Sequence, residues 1–76
     1  YVSVSSGNGV YINNSYVETY GTTKWVYLNG ASSSVLQDVY ITNNYVLSDG
    51  AAVVFGTHVS TKTVITQNTF ICWHLI

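Results

Sequence analysis

A repeated set of strand-like segments is the feature that most restricts how this chain can fold. Segment 10–17 aligns with segment 39–46, with six of the eight residues identical, and a third copy lies at 63–70. The first two copies are 29 residues apart and the next two are 24 residues apart. A second series of apolar strands recurs with nearly the same period, at residues 2–4, 26–28 and 53–55. Two series with one common period predict a chain built from stacked, equivalent units.

Each copy has the residue pattern of a β-strand. Apolar and polar residues alternate, and β-branched and aromatic residues are frequent in each copy. Turn-forming residues separate the strands, for example at 5–9, 29–30 and 48–50. A unit of this size cannot bury its apolar face alone, so we expect it to stack on its copies. An antiparallel sandwich or hairpin array stays open as an alternative, because Asn29-Gly30 could form a tight hairpin turn.

Stacking in this register predicts four interior columns with one residue from each unit. The expected columns are Ile12, Ile41 and Ile65; Val17, Val46 and Phe70; Val2, Val26 and Val53; and Val4, Leu28 and Phe55. Ser15, Asn44 and Asn68 fall at one turn, three residues after each isoleucine. We expect Asn44 and Asn68 to form a structural ladder, with side chains bonded to the turn backbone and to each other across about 4.8 Å.

The chain resembles a known class of stacked β-protein. The residues that carry the resemblance are Ile-Thr-Asn-Asn-Tyr-Val at 41–46, Gly-Ala-Ala-Val-Val-Phe at 50–55 and Thr-Val-Ile-Thr-Gln-Asn-Thr-Phe at 63–70. They resemble the right-handed parallel β-helix of pectate-lyase-like proteins and phage tailspikes, over nearly the whole chain. The resemblance implies an all-β fold with coils of about 24–29 residues. Residues 1–76 would then be a single segment of about three coils, a fragment of a longer solenoid or of an oligomeric assembly.

The composition excludes some partners. Hydrophobic residues make up 47% of the chain and charged residues only 7%, so the surface depends on Ser, Thr, Asn and Gln. A nucleic-acid surface needs clustered basic residues, and Lys24 and Lys62 are the only ones. No apolar run approaches the about 20 residues of a membrane span. We therefore expect no nucleic acid as a partner and no membrane span.

Aromatic residues beside the interior columns form outward-facing rows in this arrangement. The candidate carbohydrate or interface aromatics are Tyr11, Tyr40, Tyr16, Tyr45, Trp25 and Tyr27. Aromatic rings with a polar group favour protein interfaces, and hydroxyls and amides beside them suit sugar rings. Lateral packing against a sister chain, contact with sugars, and simple exposure of strand-forming residues all stay open.

The acidic residues are few, and two of them form a candidate catalytic pair. Glycoside hydrolysis commonly uses two carboxylates about 5–9.5 Å apart. Glu18 and Asp49 both follow the same short strand, in adjacent units, whereas Asp38 lies on the other side of that strand. The alternative interpretation is that Asp49 belongs to a turn and that Glu18 and Asp38 solvate loops.

No residue pattern predicts a metal or a cofactor. His58 and His74 have no cysteine or carboxylate cluster beside them, and no phosphate-binding or nucleophile motif occurs. Cys72 is the single cysteine, so no disulfide can form within the chain. We expect it to be a small buried or interface residue.

The resemblance implies a segment of a virion tailspike or similar extracellular protein that presents a rigid surface to cell-envelope polysaccharide. A secreted polysaccharide lyase or hydrolase and a purely structural fibre or shaft subunit stay open, because fold alone does not choose among functions. The expected partners are other copies of the chain, as in a homotrimer, the rest of a longer chain, and polysaccharide. Strand edges without a polar cap favour such contacts.

Overall fold

The computed structural model describes residues 1–21, 24–59 and 62–72. This part of the chain is all-β, with nine strands and no helix. The strands are β1 (Val2–Val4), β2 (Asn8–Asn13), β3 (Tyr16–Thr19), β4 (Lys24–Leu28), β5 (Gln37–Thr42), β6 (Tyr45–Ser48), β7 (Ala51–Phe55), β8 (Thr63–Thr66) and β9 (Thr69–Ile71).

The nine strands form three parallel sheets of three strands each, in the orders β1-β4-β7, β2-β5-β8 and β3-β6-β9. Strands β1–β3 are called the first repeat, β4–β6 the second and β7–β9 the third. Each sheet takes one strand from each repeat, so the chain passes through the first, second and third sheets in turn and then begins the next repeat. All six pairings between named strands are parallel. The alternative prediction of an antiparallel sandwich or hairpin array is therefore wrong.

The register of the sheets confirms the pairing within the four predicted columns, but Val2 and Phe55 are exposed, so these two positions are not interior as predicted. The residues that pair in succession are Val2, Val26 and Val53; Val4, Leu28 and Phe55; Ile12, Ile41 and Ile65; and Val17, Val46 and Phe70. Parallel strands in register bring identical positions of successive repeats side by side, about 4.8 Å apart. The period of the sequence is therefore the period of the structure.

Burial within a column depends on the repeat to which a residue belongs. Leu28, Ile41 and Val46 are fully buried on the middle strands of the three sheets, whereas their column neighbours on the edge strands are not. Val53 is an exception, because it is fully buried on the edge strand β7. Ile12 and Ile65 lie on edge strands and are only half-buried. The expectation that all three isoleucines are buried holds in full only for the central one.

One buried residue lies outside the strands. Leu36 is fully buried although it belongs to the connection between β4 and β5. It forms an isolated parallel bridge with Val59, and its N–H donates to the His58 carbonyl oxygen at 3.1 Å. This connection therefore adds an apolar side chain to the core, whereas its residues 31–35 stay at the surface.

The corner between the second and third sheets has the same backbone conformation in each repeat. Asn14, Asn43 and Gln67 have φ values of 54°, 58° and 56°. This left-handed region is costly for most residues, and asparagine enters it more readily because its short side chain bonds locally. The chain makes the same tight turn three times, which aligns the residues on both sides of the corner.

Candidate functional site

The corner between the second and third sheets is built on a ladder of asparagines. Asn44 is almost fully buried, and its Oδ1 accepts from the Ser15 N–H at 3.1 Å. Asn68 Oδ1 accepts from the Asn44 N–H and from Asn44 Nδ2, both at 2.9 Å. The amide groups also reach the preceding repeat, where Asn44 Nδ2 donates to the Ile12 carbonyl oxygen and Asn68 Nδ2 to the Ile41 carbonyl oxygen. These bonds fix successive corners relative to one another.

A groove of ≈ 430 Å³ lies on the outside of this corner and is called the corner groove. Its lining includes a row of amide side chains, Asn14, Asn43 and Gln67, and a row of hydroxyl-bearing side chains, Tyr16, Tyr45 and Thr69. Ser15 and Asn44 also line it. Each row receives one residue from each of the three repeats, so the groove crosses all three.

The amide row is internally bonded and uncharged. Asn43 Nδ2 donates to Asn14 Oδ1 at 2.7 Å, which joins the exposed amides of the first two repeats. Each amide has one acceptor oxygen and two donor protons, so groups remain for a ligand. This row was not among the site residues expected from the sequence. The sequence does contain a signal for it, because an Asn or Gln stands two residues after each of Ile12, Ile41 and Ile65.

The tyrosines of neighbouring repeats stack on one another. The rings of Tyr16 and Tyr45 are 5.4 Å apart at an angle of 4°, and those of Tyr11 and Tyr40 are 4.9 Å apart at 11°. A ring face that packs on another ring cannot at the same time pack on a sugar. Within each pair, the ring edges, the hydroxyls and one outer face of each ring are left for a ligand, so contact through polar groups is favoured over ring stacking.

Glu18 lies beside one of these tyrosines. The Tyr16 hydroxyl donates to Glu18 Oε1 over a long distance of 3.4 Å. Partial loss of solvent raises the pKa of the Tyr16 phenol, and the negative charge of Glu18 raises it further. The phenol therefore stays protonated at neutral pH and remains a hydrogen-bond donor.

Glu18 and Asp49, the two carboxylates expected as a catalytic pair, contact different residues. Glu18 lies in β3, paired with Leu47, and Asp49 follows the end of β6. Asp49 Oδ2 accepts from the Gly21 N–H at 2.8 Å, which links the first repeat to the second at another corner. Both carboxylates are exposed, and neither lines the corner groove. Their role as a catalytic pair stays a prediction.

Trp25 corrects one of the expectations for the surface. Only 3% of its surface is exposed, and its ring centroid lies 6.2 Å from that of Phe70 at a tilt of 55°. The prediction that Trp25 is a surface aromatic available to a ligand was therefore wrong. Because successive side chains of a strand point to opposite faces of the sheet, Trp25 was expected on the outer face, opposite the interior Val26. Both side chains are in fact buried. The next repeat has the buried alanines Ala51 and Ala52 in this part of the sheet, and small side chains leave room for an indole.

Both lysines lie over tyrosine rings. Lys24 Nζ is 5.1 Å from the centroid of the half-buried Tyr27 and 5.6 Å from that of Tyr1. Lys62 Nζ is 5.7 Å from the centroid of Tyr40, and hydrogen bonding to the Tyr40 hydroxyl raises the pKa of Lys62. Cation–π contacts of this kind stabilise weakly at exposed sites.

Comparisons with known proteins add no relative. No protein-family model, no curated protein and no solved structure matches the chain.

Within residues 1–21, 24–59 and 62–72, no group of three or more His, Cys, Asp or Glu residues could hold a metal ion. The same residues contain no helix with the length and apolar character needed to cross a membrane.

Proposed function

We propose that this chain is a segment of a right-handed parallel β-helix of the pectate-lyase-like or phage-tailspike type, and that it presents a rigid surface to cell-envelope polysaccharide. Three parallel sheets with strands stacked in register support the fold part of this proposal. In this role the protein acts outside the cell or on the surface of a virion. The neutral, amide-rich and hydroxyl-rich surface suits such a setting.

The corner groove carries the binding part of the proposal. Its amide row and its hydroxyl row offer donors and acceptors without a net charge, which matches the hydroxyl groups around a sugar ring. Equivalent groups recur once in each repeat, about 4.8 Å apart. A polysaccharide that lies along the groove would therefore meet the same pair of groups at each of the three repeats.

Rigidity of the groove favours binding. The left-handed turns and the asparagine ladder hold the two rows in place before a ligand arrives. A preformed site loses less conformational entropy on binding than a flexible one. This matters for a neutral site, where each hydrogen bond exchanges with water and contributes only about 0.5–1.5 kcal/mol.

Affinity electrophoresis tests the proposal directly. The protein is run through native gels that contain a soluble glucan, a mannan or polygalacturonate. We expect at least one neutral polysaccharide to retard it. Asn43→Gly removes the central amide and tolerates the φ of 58°, so it should reduce the retardation without changing the fold.

Tyr11→Phe is the matched control for this experiment. It removes a hydroxyl from the exposed stacked pair on the second sheet, outside the corner groove. Its retardation should equal that of the original protein. Absence of retardation by every polysaccharide, or an equal loss in the control, would contradict the proposal.

A structural subunit is the second candidate, and the stacked tyrosines favour it. Ring faces that are already paired make a regular apolar strip, and Tyr11 and Tyr16 are 65% and 67% exposed. Side-by-side packing of such strips would bury them in a trimer-like bundle. Sedimentation of the protein at micromolar concentration tests this: a bundle that Tyr11→Lys dissociates without unfolding supports it, and a stable folded monomer rejects it.

A further inference from the structure

We infer that the Tyr16–Tyr45 pair is a site of oxidative cross-linking, at which a peroxidase-type one-electron oxidant joins the first and second repeats through a dityrosine bond. The inference does not depend on polysaccharide binding. It rests on ring geometry, on exposure and on a carboxylate beside one phenol.

The ring geometry places the two phenols side by side. The two rings are nearly parallel, at 4°, with centroids 5.4 Å apart, and the residues pair in register on adjacent strands. The two phenol rings are therefore neighbours on adjacent strands, with no other ring between them. Tyr16 is 67% exposed and Tyr45 is 40% exposed, so both phenols are accessible to an oxidant, and rotation of the exposed side chains can close the remaining gap.

The reaction balances with hydrogen peroxide as the terminal oxidant. Each phenol loses one electron to the oxidised haem of a peroxidase and one proton to a base. The two phenoxyl radicals couple at their ortho carbons, and the hydrogens on those carbons move to the phenol oxygens as aromaticity returns. Two tyrosines and one hydrogen peroxide thus give one dityrosine and two waters.

Glu18 supplies the base that distinguishes this pair. The Tyr16 hydroxyl points to Glu18 Oε1 at 3.4 Å, so a carboxylate is in place to accept the phenol proton as the electron leaves. The Tyr11–Tyr40 pair stacks at a similar distance, but the Lys62 ammonium lies over Tyr40. A nearby positive charge disfavours removal of an electron from the ring. The second pair is therefore an internal comparison of nearly equal geometry and opposite local charge.

The experiment treats the folded protein with a haem peroxidase and limiting hydrogen peroxide. We expect a monomeric product that has lost two hydrogen atoms, shows dityrosine fluorescence and yields a peptide linking positions 16 and 45. Its thermal midpoint should rise, because a covalent link between repeats restricts the unfolded chain as a disulfide does. The same treatment in urea should lose the selectivity for this pair.

Three variants decide the interpretation. Tyr45→Phe keeps the stacked ring but removes a phenol, so it should abolish the intramolecular product, whereas Tyr40→Phe should leave it. Glu18→Gln should lower the coupling rate severalfold, because an amide is a poor proton acceptor. Coupling of Tyr11 to Tyr40 at an equal rate, an unchanged rate in Glu18→Gln, or products that are only intermolecular would overturn the inference.

Discussion

Asn44 Nδ2 lies 2.9 Å from Asn68 Oδ1, and this side-chain hydrogen bond links the second repeat to the third. The same amide donates to the Ile12 carbonyl oxygen at 3.0 Å, so Asn44 joins all three repeats. A buried amide that satisfies backbone groups on both sides specifies the stacking as well as stabilising it, because a shifted register would leave these groups without partners.

Replacement of Asn44 by Leu should destabilise the protein by about 1–3 kcal/mol, because backbone groups at the corner lose their partners. Urea unfolding followed by circular dichroism measures the change. Asn13→Leu is the matched control, since Asn13 is exposed at the same corner, and it should change stability by less than about 0.5 kcal/mol. If Asn44→Leu were as stable as the original protein, the asparagine ladder would not stabilise the fold.

The burial gradient predicts unequal costs for the same substitution along one column. Ile41→Ala should cost about 2–5 kcal/mol, as large-to-small changes in a packed core do. Ile12→Ala should cost about 1 kcal/mol, because its side chain keeps contact with water in the folded protein. Urea unfolding of the two variants gives the comparison, and equal costs would show that additional strands cover the first repeat in solution.

Thr63 offers a substitution that should increase stability. Its Oγ1 is buried and has no hydrogen-bond partner among the described residues, and it pairs in register with the fully buried Val39. Thr63→Val replaces the hydroxyl by a methyl of similar size, so the free energy of unfolding should rise by about 1 kcal/mol. Thr66→Val, at an exposed position of the same strand, is the control and should not stabilise. A loss of stability in Thr63→Val would mean that the hydroxyl has a partner in solution.

The sequence alone was sufficient to predict the register, because Ile12, Ile41 and Ile65 mark equivalent positions. A shift by one residue would move every side chain of a strand to the opposite face of the sheet. The sequence could not predict the burial gradient along the isoleucine column, where the middle strand is covered on both sides and each edge strand on one side. Alternation failed at Trp25, whose large ring is buried near the ring of Phe70. It also missed Leu36, which enters the core from a connection and belongs to no period.

The candidate site was predicted only in part. The tyrosine pairs follow directly from the repeat, because identical residues in register are neighbours on adjacent strands, and their rings stack. The amide row of the corner groove did not follow, since a polar residue at a turn is common and its outward direction depends on the left-handed φ at Asn14, Asn43 and Gln67. The positions of the acidic residues were least informative, because Asp49 accepts a hydrogen bond from the Gly21 N–H at a different corner from the groove.

The most direct test of parallel stacking in register is a nuclear Overhauser measurement between isoleucine methyl groups in a protein labelled only at isoleucine. Strands in one sheet are about 4.8 Å apart, so methyl contacts should join Ile12 to Ile41 and Ile41 to Ile65. No direct contact should join Ile12 to Ile65, which lie two strands apart in the order β2-β5-β8. Contacts in this pattern are the predicted result; absence of the Ile12–Ile41 contact, or a direct Ile12–Ile65 contact, would contradict the stacked arrangement.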